Sequence, residues 1–220
     1  VPFLDLASTF RKVDLSSLDL ESDEALCFFA NLYHLLVRHM LLVLGAPSSA
    51  KEWPLNYVQV SYEVGGDVFS LQELEHCVLR GKLPRPILKD LPKRFAPLPP
   101  ETDDHYFYSL TKARFTCLGF FSMSLFLNNG SQSNPPVVVL LTPGSMNEQL
   151  NRACQAFVDH TTDPKRRQIL VHKAFQLYAR DLKPHGTSKD MVRYGLRFAG
   201  RSVVQGLSML DVDISQAHIR

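Results

Sequence analysis

The chain has 220 residues, 45% of them hydrophobic and 21% charged, with a formal net charge of +2. That length suits one large domain or two small ones, and folding would bury roughly 70% of the extended-chain surface, so a core needs no staples. The charge is too small to point to nucleic acid or membrane on its own, and the composition is ordinary for a soluble globular protein.

The chain opens VPFLDLASTF, without a basic signal region and without an initiator Met. The expectation is a piece of a longer intracellular, cytoplasmic protein. Residues 1–20 read as a lead-in with short turns. Ser22 or Asp23 caps a helix that runs to about Leu44 and stops at Gly45 and Pro47. The helix is apolar on nearly every face. Asn31, His34, Arg38 and His39 interrupt it, and a central Arg costs about 2.5–3.5 kcal/mol in a bilayer. A buried core helix is therefore expected, not a transmembrane segment. Asn31, His34 and Arg38 share one face, so they form an internal network or line a cleft.

Val58, Val60, Tyr62 and Val64 alternate with polar residues, the period of a half-buried strand. Gly65-Gly66 gives a tight turn and Val68-Phe69 begins the return strand. Ser70 and Glu73 form a capping box for a short helix to Arg80, closed by Gly81. Along that helix Glu75, His76 and Cys77 are adjacent and should diverge by about 100° per residue. A surface Glu and a packed His are expected there.

From 82 to 100 the chain holds six Pro and the basic residues Lys89, Lys93 and Arg94. This is a surface loop and the candidate partner-binding segment. Phe115 to Leu127 and Val137 to Thr142 read as strands around a loop, LNNGSQSNPP. Ser145 and Glu148 start a helix to about Asp159. Gln168 to Val171 reads as a strand and Lys173 to Leu182 as a helix. Thr187 or Ser188 caps a last helix bearing Leu196 and Phe198, and Met209 to Ile214 is a weak strand. Helices and strands alternate without βαβ units, which argues for an α+β fold, a central buried helix on a mainly antiparallel sheet, in a single domain over 1–220.

The four cysteines, Cys27, Cys77, Cys117 and Cys154, form no CxxC pair and read as buried free thiols. The eight His lack zinc-ligand spacing, so no metal and no cofactor are expected. There is no GxSxG elbow and no P-loop. Lys165, Arg166 and Arg167 form a second basic cluster. Neither cluster is interleaved with aromatics, so specific nucleic-acid binding is not expected, while peripheral membrane contact stays open.

Three phrases together resemble the family called domain of unknown function 547. CFFANLYHLL is similar to the family's AFWINLYNAL, keeping Phe28, Asn31, Leu32 and Tyr33. GGDVFSLQELEHCVLR is similar to GGxxxSLxxIEHxxLR, keeping Gly65, Gly66, Ser70, Leu71, Glu75, His76, Leu79 and Arg80. FQLYARDL is similar to FKWYxxDF, with Phe175, Tyr178 and Asp181. Order and spacing agree over about residues 10–200. The family loop DPRIHFALNCGAxSCPP appears here as FFSMSLFLNNGSQSNPP. Ser124 stands at the family His, Asn129 and Asn134 at the two Cys, and Ser122 at the Arg. Asn128, Gly130, Ser133, Pro135 and Pro136 are kept.

The resemblance implies a papain- or transglutaminase-like fold, with Asn31, Tyr33, His34, Glu75, His76, Arg80, Asn128, Asn129, Gly130 and Ser133 as pocket candidates. It also implies a pseudoenzyme, because an amide is neither nucleophile nor base. The leading expectation is a non-catalytic protein-interaction or scaffolding domain whose partner is another protein. The competing one is a cysteine-dependent hydrolase or acyl-transferase with relocated residues, using Cys77 or Cys117 with His76 or another His. The plain alternative for the loop is a turn, with Asn and Gly suited to left-handed backbone.

Overall fold

The computed structural model describes residues 2–48, 52–80, 124, 126–130, 140–163, 168–169, 177–181, 187, 190 and 194. Lys89, Lys93, Arg94, Ser122, Ser133, Asn134, Cys117, the second basic cluster and the 209–214 strand lie outside them. The fold is α+β, and the chain divides into two compact units. The first takes residues 1–82, 90–114 and 141–143, and the second takes 83–89, 115–140 and 144–220.

The first unit is built around helix α2, Asp23–Leu44, which follows α1, Pro2–Ser8, and two short 3-10 turns. Ser22 is its N-cap and accepts a hydrogen bond from Ala25 N at 3.1 Å. Asp23 and Glu24 sit in the first turn, where the helix dipole favours acids. Gly45 ends it with φ 79°, a left-handed value suited to glycine. Eleven of its residues are buried, including Phe29, Tyr33, Leu36 and Met40. Each large apolar side chain so buried contributes about 1.5–3 kcal/mol relative to exposure. By length and mean hydropathy (22 residues, 1.5) this helix could cross a membrane, yet it carries the core of its unit.

Helix α3, Glu52–Gln59, precedes strands β1, Ser61–Val64, and β2, Asp67–Ser70. The strand expected from Val58 therefore starts three residues later. Local capping decides the matter: Glu52 accepts hydrogen bonds from Ser48 N at 2.8 Å and Ser48 Oγ at 2.7 Å, and Pro54 falls within the first turn, where its missing N–H is harmless. The hairpin itself follows the expectation. β1 and β2 pair antiparallel, Val64 opposite Asp67, around Gly65 (φ 62°) and Gly66 (φ 94°). The N-terminal segment clamps this turn, since Gly65 N donates to Phe10 O at 3.0 Å. The Phe10 ring meets Phe28 and Tyr62, with centroids 6.5 and 5.8 Å away. Phe29 of α2 meets Phe69 of β2 at 5.9 Å, joining the helix to the hairpin.

Ser70 and Glu73 make the expected capping box. They open α4, Leu71–Glu73, which widens at once into a π-helical turn, Leu74–Leu79.

In the second unit, α5, Met146–Thr161, buries Met146, Leu150 and Cys154 at a spacing of four, one apolar stripe. Strands β3, Thr162–Asp163, and β4, Gln168–Ile169, pair antiparallel. Ser124 and Phe126 are helical, and residues 140–142 belong to no strand, so neither strand expected around the loop is present on its described residues. A short apolar run fits a buried helix as well as a strand, and periodicity alone does not separate the two. Thr187 caps the last helix, donating to and accepting from Asp190.

Candidate functional site

The π-helical turn carries Glu75 and His76, both buried, and is followed by buried Arg80. The Arg80 N–H donates to Glu75 O at 2.8 Å, the five-residue spacing that widens the helix. Such turns recur at functional sites. All residues from Leu74 to Arg80 are buried.

Glu75 is 2% exposed, which corrects the expected surface position. Its Oε2 accepts from Tyr33 Oη at 3.0 Å and also from Tyr57 Oη. Two phenols therefore converge on one carboxylate oxygen. The other oxygen, Oε1, lies 3.9 Å from His76 Nε2, beyond hydrogen-bond distance. The expected divergence of adjacent helical residues does not keep Glu75 and His76 apart, because both side chains fold into one buried space. The His76 ring also stands edge-on to Tyr57, centroids 6.1 Å apart. His76 is packed, as expected.

Three elements position this group. α2 supplies Tyr33, α3 supplies Tyr57 and the π turn supplies Glu75 and His76. Arg80, 1% exposed, adds a permanent positive charge one residue past the turn. His34 is buried with its ring 5.7 Å from Tyr33. Tyr57, only half-buried, is the member nearest to solvent. The arrangement gathers a carboxyl, two phenols and an imidazole, groups that can share a proton.

Asn31 works elsewhere on α2. Its Nδ2 donates to Leu141 O and its Oδ1 accepts from Leu141 N, both at 2.9 Å, as a strand partner would. Arg38, on the same helix, is exposed. The helix leaves the core at its C-terminal end, where Leu42, Val43 and Leu44 are also exposed.

In the second unit, Ser124 Oγ donates to Asp181 Oδ2 at 2.6 Å, with both residues buried. Asn128 Oδ1 accepts from Gly130 N at 2.5 Å, and Gly130 has φ 88°. Asn128 and Asn129 are half-buried and Gly130 is exposed. Among the described residues, no three His, Cys, Asp or Glu side chains are grouped to hold a metal ion. Cys27, Cys77 and Cys154 are buried thiols. Burial first, then Asp23 and Glu24, push the Cys27 thiol up to about 11.

Sequence reasoning missed Tyr57 because the strand-like alternation masked its helix. It named Asp181 in the FQLYARDL phrase without making it a site residue.

A family model described as "Protein of unknown function, DUF547" matches residues 17–158, more than half of the chain. The chain belongs to this family. No curated protein and no solved structure matches it. The DUF547 match takes in α2, α3, the hairpin and the π turn, so Tyr33, Tyr57, Glu75 and His76 all fall within it. It also takes in the loop at Asn128–Gly130 and most of α5. Asp181 lies beyond the matched residues.

Proposed function

We propose that this DUF547 chain is a non-catalytic protein-binding domain of a larger intracellular protein. The observation that carries the reading is the use made of Ser124, which stands where the resemblance puts a histidine. Ser124 is 1% exposed and its hydroxyl donates to Asp181 at 2.6 Å. A carboxylate is far too weak a base to ionise a serine hydroxyl. The resemblance's two cysteine positions hold Asn129 and Asn134, which supply neither sulfur nor base.

Supporting the binding role, α2 ends in an exposed apolar run. Leu42, Val43 and Leu44 are 78%, 64% and 57% exposed, and Leu55 and Val58 of α3 are exposed in the same unit. Contiguous exposed apolar residues mark interaction surfaces more often than scattered ones do. The Pro-rich segment from Pro84 to Pro100 is the second proposed contact, through Lys89, Lys93 and Arg94.

The test pairs reactivity with binding. The folded chain is treated with iodoacetamide and with a fluorophosphonate, and labelling is located by peptide mass spectrometry. The expected result is no rapid labelling near neutral pH. Fast labelling of any cysteine, or of Ser124, would overturn the reading in favour of a hydrolase or acyl-transferase. In parallel, deletion of Pro84–Pro100 and the change Leu42→Glu/Val43→Glu are each expected to reduce partner capture while leaving the thermal transition in place.

A further inference from the structure

We propose that Asn129 is a site of spontaneous deamidation whose rate is set by Asn128. From Leu125 to Leu141 the chain has no ionisable side chain. It does contain Asn129-Gly130, the dipeptide in which the following backbone nitrogen is least shielded, because glycine has no Cβ. Gly130 is exposed and Asn129 is half-buried, so water reaches the pair.

The step is an internal displacement. Gly130 N attacks Asn129 Cγ, the N–Cγ bond forms and the Cγ–Nδ2 bond breaks. Nδ2 leaves as ammonia, and the proton lost from Gly130 N is accounted for in that ammonia. Water then opens the cyclic imide at either carbonyl, leaving aspartate or isoaspartate. No oxidant or reductant is needed. The product carries the first negative charge in this loop, and the isoaspartate form also adds a methylene to its backbone.

Nucleophilic attack requires Gly130 N to give up its proton. In the folded chain that N–H donates to Asn128 Oδ1 at 2.5 Å. An amide oxygen is too weak a base to take the proton, so the bond holds it in place. The same bond fixes Gly130 at φ 88°, a conformation that glycine adopts cheaply. Asn128 therefore acts as a latch on its neighbour, and loosening the loop releases the reaction. A partner or condition that breaks the Asn128–Gly130 bond would start the conversion, which is irreversible.

The experiment incubates the folded 220-residue chain at mildly alkaline pH and follows the Asn129 peptide by mass spectrometry that separates asparagine, aspartate and isoaspartate. The same chain in concentrated urea sets the unlatched rate. The folded chain is expected to react more slowly than the unfolded one. Asn128→Ala, confirmed folded by circular dichroism, is expected to react about three- to tenfold faster than the parent, the scale of one lost hydrogen bond. Asn128→Asp keeps an acceptor and should stay within about twofold of the parent. Gly130→Ala, compared in urea so that folding plays no part, should suppress the product. Equal rates for the parent and Asn128→Ala would overturn the latch. A folded rate equal to the urea rate would likewise overturn the latch, and an Asn129 peptide unchanged even in urea would overturn the site itself.

Discussion

Tyr33 and Glu75 stand 42 positions apart in the chain, and the tyrosine hydroxyl donates to the carboxylate Oε2 at 3.0 Å inside the first unit. This bond ties α2 to the π turn at a point where both residues are almost fully enclosed, Tyr33 at 0% and Glu75 at 2% exposed. A buried donor left without its acceptor costs about 1–3 kcal/mol, whereas an exposed one turns to water. Glu75→Leu is therefore expected to destabilise the chain by at least about 1–3 kcal/mol through Tyr33 alone. Tyr57, half-buried, can turn to solvent and should matter less. Urea unfolding of Tyr33→Phe, Tyr57→Phe, Glu75→Leu and the Tyr33/Glu75 double variant gives the coupling. A coupling near zero would mean that the bond adds nothing to stability.

Gly65 is expected to resist replacement more than Gly66. Both have left-handed φ, so alanine costs backbone strain of about 1–2 kcal/mol at either position. At Gly65 an added Cβ would also lie 2.6 Å from Val13 O and 2.9 Å from Leu15 Cγ, while at Gly66 it would meet nothing within 4 Å. Gly65→Ala should thus shift the urea midpoint well beyond Gly66→Ala. The N-terminal segment, which packs against this turn, should become the first point of protease attack. Equal midpoints for the two variants would remove the clamp from the account.

Asn31 separates hydrogen bonding from shape. Its amide donates to Leu141 O and accepts from Leu141 N. Asn31→Asp keeps the size and the acceptor but replaces the donor with a second acceptor facing a carbonyl. It is expected to cost as much as Asn31→Ala or more, about 1–3 kcal/mol, at pH above the carboxylate range. The penalty should shrink as the pH falls and the new carboxyl gains a proton to donate. Thermal melts of both variants at acidic and neutral pH test this. An aspartate variant as stable as the parent at neutral pH would contradict the paired arrangement.

Local chemistry made part of this structure legible in the sequence. The Ser22 cap, the Gly45 stop, the Gly65-Gly66 turn and the Ser70–Glu73 capping box each depend on residues within a few positions of one another, and each is found where expected. The site was less legible. Glu75 looked like a surface residue on a short helix because nothing nearby in sequence announces that Tyr33 and Tyr57 close over it. Val58, Val60 and Val64 alternate like a strand, yet the Ser48–Glu52 bonds begin a helix that carries Val58 and Tyr57 before the strand begins. The Ser124–Asp181 bond spans 57 positions and joins two phrases that share no local signal. The family resemblance marked Ser124 and Asp181 separately, but only the folded chain brings them together.

Cys27 gives a prediction with a definite pH window. Burial, Asp23 and Glu24 raise its thiol from 9.0 to about 11, so the folded state resists losing that proton. The unfolded chain ionises near the ordinary thiol value. Stability from this group is therefore fully present below about pH 9 and is lost as the pH rises from there towards about 11. Two measurements follow. Alkylation of Cys27 in the folded chain should remain slow through neutral pH and rise only in strong alkali, whereas in urea it should rise near the ordinary thiol range. Cys27→Ser should flatten the alkaline limb of the stability profile relative to the parent. An Asp23→Asn/Glu24→Gln variant should move the alkylation curve to lower pH by less than full exposure does, because burial is the larger cause. A Cys27 that alkylates at the same pH in the folded and unfolded chains would show that the thiol is neither enclosed nor held by the acids at the start of α2.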